Sequence, residues 1–302
     1  MDMIVSLLQN TLRTATPVVL AALGCLMTDH TGMMNIGVEG MMLIGAFAGV
    51  MGSWVGGAWW MGLIFAVAAG LLLGLFYGVF VIQFKSDEFI IGVALNIFAG
   101  GLTTFLLRTL TGQSGTFHAP EGPLSTLPRI HIPGGENIPV LGDLLSGHTL
   151  LVYVSWLLVA LSWVMIYRMP LGFWLRSAGE HPKALRSIGK SPEGMQYLAS
   201  LLCGAMAALA GAHLALGYLS TFSENMSNSR GFIAVACVIF GRSNPPKVFL
   251  AALLFGFIDA LGMRLQSLGI SSALTSIFPY LGTVLMMVLL ALRTCFKRRK
   301  AS

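Results

Sequence analysis

The chain is dominated by stretches of about twenty residues that carry almost no charge, and that pattern leaves few folds open to it. An α-helix rises about 1.5 Å per residue, so roughly 20 apolar residues match a hydrocarbon core about 30 Å thick. Seven runs meet that length, at residues 3–27, 60–83, 89–110, 150–167, 195–219, 248–265 and 272–292. Two shorter ones, 35–52 and 231–241, lie between them, and the second is too short to cross unaided, which points to a broken or re-entrant helix. Only 10% of residues are charged, against about 25% in soluble domains, so lipid must replace water as the outer solvent. The 36 glycines fit that reading, because helices in lipid associate through close backbone contact at small residues. The expected fold is all-α: a polytopic transmembrane bundle of about nine spans, with eight to ten compatible, forming a single domain over 1–302. At the N-terminus Asp2 precedes the apolar run, Arg13 interrupts it and Pro17 sits midway, features of a retained first helix rather than a cleaved secretory signal.

Charge placement orients the bundle. With nine crossings and a cytoplasmic C-terminus, thirteen of the eighteen basic residues fall inside, including Lys85, the group Arg168 to Lys190 and the tail Arg293 to Lys300. Only Arg129 and Arg230 fall outside. The formal net charge of +6 is therefore a membrane-anchoring pattern, and with no basic patch interleaved with aromatics it does not mark a nucleic-acid binder. Cys25, Cys203, Cys237 and Cys295 lie in or beside apolar runs without metal-like spacing and read as small core residues. The expectation is no cofactor and no metal. No Gly-x-x-x-x-Gly-Lys-Ser/Thr loop is present, so any ATP hydrolysis belongs to another chain. Two loops are long: 111–149, external and rich in proline, is a docking surface or a tolerated insertion, and 168–193 is cytoplasmic.

Within the cytoplasmic loop, Arg176 to Gly189 has the makings of a short amphipathic helix. Pro182 suits its first turn and Glu180 complements its N-terminal dipole. Ala184, Leu185 and Ile188 share a side, and Gly189 ends it. This stretch, Gly-Glu-x-Pro-x-Ala-x-x-x-x-Gly over 179–189, resembles the coupling loop of bacterial ABC importer permeases. A second stretch, Gly32-Met-Met-Asn35-Ile-Gly37-Val-Glu39-Gly40, resembles the Gly-x-x-Asn-Ile-Gly-x-Glu-Gly signature near the start of the branched-chain amino acid, ribose and nucleoside permease superfamily. Within it the chain looks most like the nucleoside or simple-sugar permeases.

The resemblance implies a transport subunit of the bacterial plasma (inner) membrane, not an enzyme. Its partners would be cytoplasmic ATPase subunits, a second permease, homologous or identical, and an external substrate-binding protein, with lipid around the whole. It places the ATPase contact on Gly179, Glu180, Pro182, Ala184 and Gly189. Leu185 and Arg186 depart from the small or acidic residues common in relatives.

Polar groups inside apolar spans face a cavity or a partner, because an unpaired charge there costs about 2.5–3.5 kcal/mol. Asn35 and Glu39, four apart, share a face if one helix carries both, with Glu39 about one turn in from the inner boundary. They either line the solute path or cap backbone groups at a helix break, and the glycine-rich surroundings favour the break. Asn96 offers a donor and an acceptor, for a hydroxylated solute or for a neighbouring helix. Phe47, Phe98 and Phe232 are candidates to stack on a base or sugar, or else packing and lipid-facing groups. Asp259 and Arg264 are expected to pair, and His213 to be a packing residue. The short runs 35–52 and 231–241, entering from opposite sides, hint at an inverted repeat. The leading reading is an ABC importer permease for nucleosides or simple sugars, working by alternating access. The alternatives are a branched-chain amino acid permease and a stand-alone secondary transporter.

Overall fold

The structure, a computed structural model, describes residues 2–119, 126–130, 146–217, 220–267 and 282. The expected span at 272–292, the basic tail and Cys295 lie outside the described residues, apart from Gly282. Ten α-helices are described: α1 (Asp2–His30), α2 (Val38–Gly56), α3 (Trp59–Gly78, continuing as a π-helical turn, Val79–Gln83), α4 (Glu88–Thr111), α5 (Leu150–Arg168), α6 (Pro170–Glu180), α7 (Pro182–Ser187), α8 (Pro192–Leu216), α9 (Arg230–Gly241) and α10 (Pro245–Ser267). Seven of them, α1 to α5, α8 and α10, are long and apolar enough to cross a membrane, while α9 has only 12 residues.

Local chemistry sets the helix ends. Asp87 caps α4, its carboxylate accepting from the backbone N–H of Phe89 and Ile90, and Gly112 closes that helix at φ 68°. Ser191 caps α8 by accepting from Gly194 N–H, with Pro192 in the first turn, where no N–H is missed.

The centre of the bundle is α8, and its packing depends on glycine. A Cβ placed on Gly211 would lie 1.9 Å from Met42 O of α2, and one on Gly204 would lie 2.0 Å from Gly70 O of α3. From the facing side, a Cβ on Gly45 would meet Ala208 Cα at 2.4 Å. Backbones this close leave no room for a methyl group, which is how helices gain dispersion contact when lipid removes the hydrophobic drive between them. By contrast α3, α4 and α5 present Leu72, Ile97 and Leu157 outward, each about two-thirds exposed or more, a surface that only an apolar surround can cover.

Two small antiparallel pairings join segments that the helical reading leaves as loop. Strand β1 (Thr116–His118) pairs with β4 (Thr221–Ser223), and β2 (Arg129–Ile130) pairs with β3 (His148–Thr149). Glu224 extends the first, accepting from Gly115 N–H through its side chain while its own N–H donates to Gly115 O. The pairings satisfy loop backbone that no helix serves. They also put 112–119 and 220–224 at one end of the bundle.

The loop 168–193, expected on the cytoplasmic side, departs from expectation in one respect. It forms two helices with a joint at His181, not one helix around Glu180. Pro182 has no N–H and disfavours helical geometry at the residue before it, so α6 ends at Glu180 and α7 starts at Pro182. Glu180 therefore sits at a helix C-terminus and does not complement the dipole of α7. Gly189, at φ 78°, does close α7: its N–H donates to Arg186 O and that of Lys190 to Leu185 O. Leu185 alone of α7 is buried, whereas Ala184 and Ile188 are exposed together on its other side. Lys190 stands 4.3 Å over the Trp174 ring, and Arg186 pairs with Glu193, so the elbow is braced at both ends.

Candidate functional site

The link between α1 and α2, residues 31–37, is not helical. Asn35 therefore does not share a helix face with Glu39; it belongs to the link, and Glu39 is the second residue of α2. Nor does α2 start at the inner boundary. Asn35 Nδ2 lies 3.4 Å from Cys203 Sγ, and Cys203 is midway along α8. The link thus climbs to mid-depth before α2 begins. Irregular backbone survives at that depth only if protein groups satisfy it.

Those groups come from three helices, α3, α4 and α8. Gln196 Nε2 donates to Thr31 O at 3.4 Å, and Tyr77 Oη donates to Met34 O at 3.4 Å. Met34 N–H donates to Glu88 Oε2 at 3.0 Å, and Gly37 N–H to Asn35 Oδ1 at 2.9 Å. Asn96 holds the final turn from both sides: its Nδ2 donates to Ile36 O at 3.1 Å, and its Oδ1 accepts from Gly40 N–H at 2.7 Å. The Glu88 and Asn96 anchors are eight residues apart on α4, about 12 Å of helix.

Glu39 takes the structure one step further. Its Oε1 accepts from Ser229 N–H at 2.8 Å and its Oε2 from Gly231 N–H at 2.6 Å, both at the start of α9. The first N–H groups of a helix have no partner of their own, and the Ser229 side chain makes no capping bond. A carboxylate borrowed from α2 caps α9 and meets the positive end of its dipole. A Cβ on Gly231 would come 2.6 Å from Glu39 Cα, so glycine is what lets the carboxylate in. Two helix beginnings, α2 and α9, thus meet at Glu39, in the manner of transporter sites built from broken helices.

The structure brings Asn35, Glu39 and Asn96 together, but not the aromatic candidates. Phe47 is buried and packs edge-on against Phe222 of β4, ring centroids 5.2 Å apart. Phe98 and Phe232 are both exposed on the outside of the described bundle. Asp259 does not pair with Arg264. Residues five apart on a helix point about 140° away from each other, and Asp259 instead pairs with Arg230 at 3.2 Å. His213 is buried against the backbone of Arg13. Pro17 has no N–H to give the Arg13 carbonyl, so this contact lies where the proline opens the helix. Among the described residues no His, Cys, Asp and Glu group could hold a metal.

Sequence reasoning missed Gly231, Tyr77 and Gln196. Gly231 opens the short run, and its position beside Glu39 depends on a fold that periodicity does not give.

The second candidate region is the elbow formed by α6 and α7. Gly179 of α6 packs on the link itself: a Cβ there would lie 2.6 Å from His30 O and 2.8 Å from Gly32 N. Elbow and link therefore touch backbone to backbone, and the link runs from that contact to Asn35 and Glu39.

Comparison with known proteins bears on both regions. Residues 7–292 match the family model described as branched-chain amino acid transport system / permease component. The guanosine ABC transporter permease NupQ of Bacillus subtilis is 35% identical over 288 residues, covering 91% of this chain and 88% of that protein. The nucleoside permease NupC of Lactococcus lactis is 29% identical over 294 residues, 93% of this chain and 90% of its own length. The glucose permease TsgB13 of Haloferax volcanii is 30% identical over 294 residues, 89% and 73% respectively. No solved structure matches. The chain belongs to the permease-component family of the branched-chain amino acid transport systems, as a multi-pass membrane transport subunit and not an enzyme.

Proposed function

We propose that the chain forms the membrane path of an ABC importer for nucleosides or simple sugars, moved by ATPase subunits that grip α6 and α7. The observation that carries this reading is the contact of Gly179 with residues 30–32. A push on the elbow reaches the link directly, and the link ends at the Asn35, Asn96 and Glu39 assembly. Pro182, Ala184 and Ile188 form the exposed apolar part of the handle, Glu180 its charged edge, and Gly189 its stop. Asn35, Glu39 and Asn96 act as the pivot between α2, α4 and α9. Phe98 and Phe232 face outward, toward lipid or the second permease, while Phe47 packs within the bundle. The described helices, with the apolar run 272–292, support nine crossings, a cytoplasmic C-terminus and an arrangement in which α2 and α9 play corresponding parts. Charge placement puts the elbow inside and the paired strands outside, where a binding protein would dock. The solute class rests on the relatives named for guanosine, nucleosides and glucose.

The family description favours a second reading, branched-chain amino acids. Uptake of labelled guanosine, glucose and leucine, in a strain lacking this gene and in the same strain complemented, separates the two. ATP-dependent return of guanosine or glucose uptake is the expected result, and return of leucine uptake alone would establish the second reading. Uptake that persists without ATPase subunits would exclude an ABC mechanism.

A further inference from the structure

A cavity of about 300 Å³ opens between α1, α8, α9 and α10, in the half of the bundle remote from the coupling elbow. Asn10, Arg13, Thr14, His213 and Arg230 supply its polar wall, and Leu214 and Met263 its apolar part. That volume is at the lower end of the range for small-molecule sites, about 300–1,000 Å³. Near Asn35, by contrast, the space between α1, the link and α9 is about 10 Å³, room for one water at most. Of these two spaces among the described residues, only the one remote from the elbow has room for a small solute.

Arg13 lies within a spanning helix and Arg230 opens α9 inside the bundle. Ionisable side chains at such depth are expensive and face the interior for a reason. Arg230 donates to Asp259 Oδ2 at 3.2 Å and to Met226 O at 3.4 Å, while Thr14 Oγ1 donates to Gly256 O at 2.8 Å. The guanidiniums of Arg13 and Arg230 place hydrogen-bond donors on a wall that is otherwise mostly apolar. A phosphate or carboxylate drawn to Arg230 would meet Asp259 on the same guanidinium. The chemistry that remains is a neutral molecule with hydroxyl and carbonyl oxygens and one apolar face. Arg230 is also the residue beside Gly231, whose N–H is held by Glu39, so whatever binds Arg230 bears on the pivot.

We propose that this cavity is the solute-binding site of the outward-facing chain, taking a nucleoside or monosaccharide through Asn10, Arg13 and Arg230. The proposal rests on the importer reading above and locates its substrate. In cells expressing the whole transporter, Asn10→Cys and Met263→Cys each place a thiol at the cavity on a residue that is exposed. A membrane-impermeant maleimide should label both from outside, and saturating guanosine or glucose should slow labelling at least fivefold. Arg230→Lys keeps the charge but loses the planar fork, and should raise the KM for uptake tenfold or more with ATPase activity retained. Labelling that guanosine and glucose leave unchanged, in a transporter that still carries either one, overturns the site. Protection by guanosine monophosphate alone overturns its neutral character. If the unaltered transporter carries neither probe, the importer reading itself fails and the assignment of the cavity falls with it.

Discussion

Replacing Glu39 by glutamine tests whether that carboxylate holds α9 or handles solute. Glutamine keeps the length and one carbonyl oxygen, but turns an NH₂ group toward whichever of Ser229 N–H and Gly231 N–H the oxygen does not take. One charge-assisted hydrogen bond is lost, about 1.5–3 kcal/mol. The favourable meeting of a charge with the dipole of α9 goes too, up to about 2 kcal/mol in partly buried geometry. Together the start of α9 is weakened by roughly 2–5 kcal/mol, which raises its local opening about thirty- to four-thousand-fold at 1.4 kcal/mol per decade. Hydrogen exchange on the purified transporter reads this directly. Peptides covering 229–233 should exchange faster by a factor in that range, while peptides from the middle of α8 stay protected. Glu39→Asp keeps the charge on a shorter side chain that reaches one amide, and should fall between. Unchanged exchange at 229–233 together with lost uptake would refute the reasoning and put the carboxylate on the solute path.

Four further outcomes follow from the same contacts. Gly211→Val should prevent stable assembly, because its first side-chain carbon alone would stand 1.9 Å from Met42 O, beyond the 1–3 kcal/mol usual for overpacking; recovery from detergent on size exclusion measures it. Asn96→Leu removes two hydrogen bonds and strands Gly40 N–H and Ile36 O, costing about 2–4 kcal/mol; uptake should drop and thermal stability fall with it, whereas loss of uptake at unchanged stability would indicate a solute contact. Phe98→Ala, on an exposed face, should leave monomer stability within about 0.5 kcal/mol, so a weakened permease pair in cross-linking would assign that face to the second subunit. Glu180→Arg, at the exposed edge of the elbow, should abolish uptake while the permease still folds, and intact uptake would remove the elbow from the ATPase contact.

What the sequence shows plainly is what lipid dictates. Long uncharged runs have one solution in a bilayer, so the seven long helices of the described chain lie where hydropathy puts six of the seven long runs and the longer of the two short ones. The brevity of α9 is legible for the same reason. Gly189 as a stop and Pro182 as a start are local effects that need no tertiary knowledge. The joint at His181 was legible too, since the residue before a proline resists helix, but the amphipathic pattern ran across it and masked the break. Glu39 and Asn35 show the limit. Spacing of four suggests one helix face, and only the hydrogen bonds from α3, α4 and α8 make a non-helical link stable in their place. The Arg230–Asp259 pair was hidden likewise, because 29 residues separate partners whose apposition depends on α9 beginning beside α10.

On the proposed route from elbow to pivot, glycine stands at both backbone contacts. A contact between side chains can relax by changing rotamers, and so absorb a displacement before passing it on. Gly179 meets residues 30–32 with no side chain between, and Gly231 meets Glu39 at the backbone of α2. At both places a shift of one segment must shift the other, since packed backbones are little compressible. The prediction is specific. Gly179→Ala puts a carbon 2.6 Å from His30 O, forcing elbow and link apart without touching the exposed side of α7. ATPase subunits should still bind and hydrolyse ATP, but transport per ATP should fall several-fold. Lys183→Ala, on the exposed side of α7, should leave the ratio of transport to hydrolysis unchanged. If Gly179→Ala instead keeps that ratio and merely lowers protein recovery, the contact serves folding and the motor acts on the bundle by another route.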